Sequence, residues 1–203
     1  SQTGQRDNIM KGLIAAEAFF PRMESVFKEV GIPTQLTRLA LVESSFDLRA
    51  QSHAGAAGVW QFMPSIGAKF LKIDRAEMID ERLSPMKSTL AAGKLLRENY
   101  TRFKNWPLAI TSYNHGLKGL PRANRQIAEA DEEFARLAPL FKGCNKRSPL
   151  GWAGRNYYSE FLAALHAESY RQIFYGEPPV QKIRAVSFKL APAGQTALSA
   201  AMF

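Results

Sequence analysis

Glu43 closes an apolar run, LTRLALVES, in which Leu36, Leu39, Ala40 and Glu43 recur every three or four residues. That spacing puts them on one helix face, so the carboxylate points where the leucines point, into the interior or a cleft wall. A carboxylate held there is costly to ionise and stays protonated near neutral pH. A protonated glutamic acid in a cleft is what a general acid for glycosidic cleavage must be. By position alone, Glu43 reads better as a carboxylate at a helix end, satisfied by backbone donors, than as a catalytic acid. Beyond it stands a small-residue turn, His53-Ala54-Gly55-Ala56-Ala57-Gly58, whose glycines let backbone approach another surface closely. Trp60-Gln61-Phe62-Met63 follows, with aromatic area and an amide, and then Pro64, which opens a helix well. Glycosidases commonly use two carboxylates, ~5 Å or ~6.5–9.5 Å apart. Asp47 reads as a turn cap, and Asp74, Asp80 and Glu81 read as solvated loop residues, so no spacing singles out a partner.

Three ordered blocks carry a family resemblance: Glu43-Ser44, the run S-x-x-G-A-x-G-x-W-Q-F-M-P from Ser52 to Pro64, and Ser112-Tyr-Asn-His-Gly116. Together they resemble the catalytic domain of the family 1 lytic transglycosylases. The WQF variant and the later RNYYSEFLAAL, from Arg155, resemble the membrane-bound lytic murein transglycosylase D branch most. The resemblance implies a mainly α, lysozyme-like helical domain with a cleft that acts on peptidoglycan glycan strands. It makes Glu43 the catalytic residue. Lytic transglycosylases work without a second carboxylate: the acid also deprotonates the muramic acid C6 hydroxyl, which attacks the anomeric carbon and leaves a 1,6-anhydro end, so proximity replaces an activated water.

The same pattern lines the sugar cleft with Ser52, Gln61 and Met63, the first two as hydrogen-bonding groups and the third as apolar contact. Met63 reads about as well as core filling, and Trp60 and Phe62 read as packing. Tyr113 is placed to bond Glu43 or the reacting sugar, and Asn114 to hold an acetamide. Their plainer readings are a buried tyrosine with a partner and an Asn at a helix C-terminus. One position departs from the pattern: His115 stands where the family has Ala or Ser. Facing the cleft, its ring would narrow the acetamide space and favour de-N-acetylated glycan; facing solvent, it would simply suit a helix C-terminus. The acidic residue of the soluble branch falls at Ala153, so that contact is absent here. The block around Arg155 reads as packing under the cleft.

The elements that must hold these groups are mostly helices. Residues 7–20 carry Ile9, Met10, Leu13, Ile14, Ala16 and Phe20 at helical spacing, and Pro21 starts a second helix ending before Gly31. Thr34 caps the Glu43 helix, which runs to about Ser45. Residues 46–63 are irregular, with short strands expected near 57–60, and 64–71 form a short helix. Residues 72–83 read as polar loop. Ser84-Pro85 then starts a helix to Phe103, and Asn105 with Pro107 starts another that stops at Gly116. Further helices are expected over 121–138 and 154–175. An alternating run over 181–189 suggests a strand or extended arm. The domain is thus 1–176, with 177–203 as a C-terminal arm packed on it.

The chain has 203 residues, 46% of them hydrophobic, enough for one domain with a real core and too many for disorder. The net charge of +9 favours anionic partners, among them a cell-wall polymer with stem-peptide carboxylates. The charges are spread along the chain without a nucleic-acid motif, so no nucleic-acid partner is expected. His53, His115 and His166 share no ligand spacing, so neither a metal nor another cofactor is expected. Cys144 is alone and offers no internal disulfide. No apolar run reaches the ~20 residues of a membrane span, and a start at Ser1 reads as a trimmed chain, leaving anchoring open. The expectation is a monomeric peptidoglycan-cleaving enzyme of the bacterial cell envelope, periplasmic or secreted. Its rivals are a lysozyme-type hydrolase that leaves reducing ends and a glycan-binding module without turnover.

Overall fold

The computed structural model describes residues 3–117 and 152–176. The helix expected over 121–138, Cys144, the alternating run at 181–189 and the arm at 177–203 lie outside the described residues. The elements are α1 (Thr3–Glu17), α2 (Phe20–Val30), a 3-10 helix (Thr34–Arg38), α3 (Leu39–Ser44) and α4 (Pro64–Gly67). A two-stranded sheet follows, β1 (Ile73–Asp74) and β2 (Ile79–Asp80), then a 3-10 turn (Glu81–Leu83). The rest are α5 (Pro85–Phe103), α6 (Trp106–His115), α7 (Trp152–Ser169) and α8 (Arg171–Tyr175). The described fold is mainly helical, as expected. No described helix is long and apolar enough to cross a membrane.

The start signals of α5 and α6 and the stop signal of α2 act as the sequence suggests. Asn105 accepts a hydrogen bond from the Leu108 amide at 3.0 Å, Ser84 accepts a long one from Lys87, and a proline sits in the first turn of α2, α4, α5 and α6. Gly31 ends α2 in the left-handed region, at φ 80°. Helix α2 buries Phe20, Met23, Phe27 and Val30, spaced three and four apart. Its Phe27 meets Trp60 with ring centroids 5.6 Å apart. Trp60 is fully buried, and its indole N–H donates to the Thr89 hydroxyl at 2.9 Å. Helix α5 packs against α2 and α6, and α7 covers α3 and α6. The Glu43 helix packs against α7, α1 and the 3-10 turn before it.

Several expectations need correction, among them the helix expected over 64–71, which ends at Gly67 and continues as turns. Thr34 does not cap α3: the chain enters through a 3-10 turn whose first carbonyl, that of Pro33, accepts from Leu36 at 3.2 Å, which leaves Thr34 inside the turn. The strands expected near 57–60 are only isolated bridges, Gln51 with Ala57 and Ala57 with Phe62. The paired strands lie instead in the segment read as loop, with Ile73 opposite Asp80 and Asp74 opposite Ile79. There the Asp74 side chain accepts from the Ala76 and Glu77 amides and turns the chain back, a role that polar composition disguises. The first helix ends at Glu17, because the chain turns through Ala18-Phe19 before the proline-bearing turn of α2. The helix expected over 154–175 breaks at Tyr170 (φ −108°, ψ 24°), where no glycine or proline signals it.

Candidate active site

Glu43 occupies the last turn of α3, after the buried Leu39, Ala40 and Leu41. The helix closes with the Ser45 amide on the Leu41 carbonyl (2.9 Å) and the Phe46 amide on the Ala40 carbonyl (3.2 Å). Ser45 and Phe46 are both left-handed, at φ 50° and 59°, a costly pair for residues with side chains. Packing holds them there. The Phe46 ring is buried against Phe19 and Phe20, at 5.5 and 5.7 Å. Gly12 of α1 lies so close that a methyl group there would sit 2.3 Å from the Ser45 carbonyl oxygen. Ser44 donates to the Val59 carbonyl at 3.0 Å, tying the Glu43 turn to the small-residue loop.

That loop is fastened from the other side by Arg82, which is buried. Its guanidinium pairs with Asp80 at 2.7 Å and donates to the carbonyls of Gly55 (2.7 Å) and Phe62 (2.9 Å). The Arg82 guanidinium holds the Asp80 carboxyl below its usual range. Gly58, at φ 74°, passes directly over the Arg82 backbone. Ser52 folds the loop on itself: its amide donates to the Ala56 carbonyl and its hydroxyl accepts from the Ala56 amide.

A cleft of about 820 Å³ opens between these pieces, and Glu43, Gln61, Met63, Tyr113, Asn114 and His115 line it. Six of the seven residues singled out in the sequence are therefore brought together; Ser52 is not among the lining residues. Met63 is 40% exposed, which places it on the cleft wall and not in the core, whereas Trp60 and Phe62 are buried beneath. Gln61 spends its amide nitrogen on the Gly58 carbonyl (2.8 Å) and, more weakly, on that of Ala50 (3.3 Å). Tyr113 packs edge-on against Trp60 and Phe62, and its hydroxyl donates to the Trp60 carbonyl at 2.9 Å, not to Glu43. Burial first, and the nearby Glu43 charge second, hold its phenol well above the usual range, so it stays neutral. His115 lies against α7 as well as the cleft: a methyl group on Gly154 would sit 3.2 Å from His115 Nδ1.

Tyr157 is the site residue that sequence reasoning left in the packing layer. It is buried on α7, and its hydroxyl donates to Glu43 Oε1. Burial raises the Glu43 carboxyl to about 7, the Tyr157 bond opposes that rise, and the Glu160 charge adds to it. Glu43 is thus about half protonated at neutral pH, able to give a proton and to take one back. Asp47 and Asp74 accept backbone amides in turns, and Asp80 and Glu81 are paired with Arg82 and Lys87; none of the four lines the cleft. Among the described residues no group of three or more His, Cys, Asp or Glu is placed to hold a metal ion.

A family model described as the transglycosylase SLT domain matches residues 6–134. Among curated proteins, the chain is 33% identical over 104 residues to membrane-bound lytic murein transglycosylase D of Escherichia coli (strain K12), a stretch covering 51% of this chain and 23% of that protein. It is 32% identical over 113 residues to a protein of Alteromonas sp. (strain M-1) named for tributyltin chloride resistance, covering 55% of this chain and 54% of that one. The chain therefore matches less than two thirds of the length of either relative.

Proposed function

This chain belongs to the transglycosylase SLT family, and from that membership we propose that it cleaves the MurNAc–GlcNAc β-1,4 bond of peptidoglycan as a lytic transglycosylase. The observation that carries the reading is the Glu43 carboxyl: half-buried at a helix end, raised to about 7 by desolvation, bonded by Tyr157 and open to the cleft. In the proposed reaction Glu43 passes its proton to the glycosidic oxygen as the C1–O bond breaks. The resulting carboxylate takes the proton of the muramic acid C6 hydroxyl, and that oxygen bonds to C1. Glu43 ends protonated, no water is consumed, and one carboxyl group serves both steps. Gln61, Met63 and Asn114 supply the sugar contacts, with Tyr113 holding the cleft floor through the Trp60 carbonyl. Such a substrate places the protein in the bacterial cell envelope.

Digestion of purified sacculi, with mass spectrometry of the released fragments, tests this. Anhydro ends are expected. Reducing ends would make the protein a lysozyme-type hydrolase, and no release would overturn the reading. His115 gives the same assay a second axis. Its ring at the cleft wall supports a preference for de-N-acetylated strands, and equal digestion of acetylated strands would remove that preference.

Tyr157→Phe removes a donor that stabilises the Glu43 carboxylate. The Glu43 carboxyl should then rise further, so the alkaline fall of kcat/KM, expected near pH 7 in the wild type, moves to higher pH. Hydrogen bonds to charged groups are worth about 1.5–3 kcal/mol, so the rate at the optimum should fall about 10- to 100-fold. An unmoved pH profile would make Tyr157 a packing residue.

A further inference from the structure

Buried polar side chains in the described fold are almost all satisfied by the protein itself. Thr37, Ser88, Thr89, Thr111 and Ser112 turn their hydroxyls back onto a carbonyl three or four residues earlier, at between 2.6 and 2.8 Å. Arg82 spends its guanidinium on Asp80 and two carbonyls. Asn99 differs. It is 5% exposed on α5, and its side chain makes a single long bond, from Nδ2 to the Ala109 carbonyl of α6 at 3.4 Å. That carbonyl already accepts the Ser112 hydroxyl at 2.7 Å and, within α6, the amide four residues on. The Asn99 carboxamide oxygen accepts no bond from any described residue.

A buried acceptor left without a donor costs stability, and an apolar residue of similar size would not incur that cost. The packing of α5 on α6 does not require the group, because the carbonyl it reaches is served twice already. What Asn99 has besides burial is its place: it lines the same cleft as Glu43 and Tyr113. Ala109 lies one helical turn before Tyr113, roughly 6 Å at 1.5 Å per residue, so the carboxamide stands beside the Tyr113 end of the cleft. It bonds none of Glu43, Tyr113 and Tyr157, so it takes no part in their proton transfers. Its oxygen and a second N–H remain on one neutral group. That combination suits a sugar hydroxyl, which gives one hydrogen bond and takes others. It suits an ion of either sign less, because a carboxamide carries no charge.

We propose that Asn99 is a substrate-binding residue of the cleft, whose carboxamide receives a hydroxyl of a sugar beside the bond that Glu43 cleaves and so fixes where the strand lies. The proposal rests on the peptidoglycan reading above. Its test is made in the Glu43→Gln background, so that binding is measured without turnover. Glycan strands freed of peptide by an amidase are titrated against Glu43→Gln and against the same protein carrying Asn99→Leu or, with no added bulk, Asn99→Ala. Either second substitution should weaken Kd about tenfold, the upper worth of one neutral hydrogen bond. Added salt should leave that loss unchanged, since no charge is involved. With Glu43 restored, KM should rise by a similar factor while kcat holds, the mark of an interaction made equally in the ground and transition states. Asn99→Leu also removes an unsatisfied buried oxygen, so its Tm should equal or exceed that of its parent. Unmoved Kd and KM overturn the proposal, and a lower Tm beside them would show that Asn99 only ties α5 to α6. If Glu43→Gln fails to bind the strands at all, the peptidoglycan reading falls together with the subsite. If it binds them with a Kd that ignores Asn99, the subsite falls alone.

Discussion

Glu43→Gln is expected to be inactive and, at pH 8, more stable than the wild type. Glutamine keeps the size of the side chain and can still accept the Tyr157 hydroxyl, but it cannot give up a proton. General acid–base catalysis contributes about 10²–10⁴-fold, and here one group serves both proton transfers, so the loss should reach at least that range. The stability gain follows from the same burial. The folded Glu43 carboxyl titrates near 7, above its ordinary value in an unfolded chain, because the site penalises the charged form. Between the unfolded value, roughly 4.3, and about 7 the native state binds more protons than the unfolded one, so this group lowers stability as pH rises through that window. Below the window its contribution is neutral, and above it the penalty is complete. The glutamine of the variant carries no charge at any of these values and escapes the penalty. Thermal melts of both proteins at pH 5 and pH 8 should therefore show a difference in favour of the variant that grows with pH. Near-wild-type turnover would sink the catalytic assignment, and a pH-independent difference in Tm would mean that the carboxyl is not held in a desolvated site.

Such a trade of stability for function explains which parts of the site could be read in advance. The Glu43 face was legible because burial needs a regular apolar spacing, and Leu36, Leu39 and Ala40 provide it. Helix boundaries at Gly31, Ser84, Asn105 and Gly116 were legible because caps are local: the donor and acceptor lie within three or four residues. What holds Glu43 in place was not local. Tyr157 reaches it across 114 residues of sequence, and nothing in an isolated RNYY says which tyrosine faces the carboxylate. Arg82 sits in a segment so polar that it read as solvated loop, yet its guanidinium is the buried clasp of the Gly55–Phe62 turn. The left-handed pair at Ser45 and Phe46 was hidden for a similar reason. Neither is a glycine, and the packing that forces the conformation comes from Gly12, Phe19 and Phe20 on other helices. Composition reports what a residue can do, but only a tertiary contact decides whether it must.

Gly58→Ala is the change expected to damage the fold most for its size. Gly58 has φ 74°, where an L-residue pays roughly 1–2 kcal/mol for its Cβ. The larger cost is steric. The added methyl group would lie 2.0 Å from the Arg82 carbonyl oxygen and 2.9 Å from its carbon, both backbone atoms that no rotamer change can move aside. The Arg82 backbone cannot retreat cheaply, because its side chain is fixed at once by Asp80 and by the Gly55 and Phe62 carbonyls. Separating the two segments would break that buried pair, a loss of about 3–5 kcal/mol when one partner is removed. Gly31→Ala provides the comparison, since Gly31 is also left-handed, at φ 80°, but nothing lies within 4 Å of its added methyl group. It should cost about 1 kcal/mol, the conformational penalty alone. For a chain of this length each kcal/mol moves Tm by about 2–4 °C, so Gly58→Ala should melt roughly 10 °C below wild type and Gly31→Ala only a few degrees below. Gln61 and Met63 sit on the displaced turn, so Gly58→Ala should also raise KM at temperatures where the protein is still folded. Equal losses of stability in the two variants would show that the turn and the Arg82 segment move apart freely, and that Arg82 does not clasp the loop that faces Glu43.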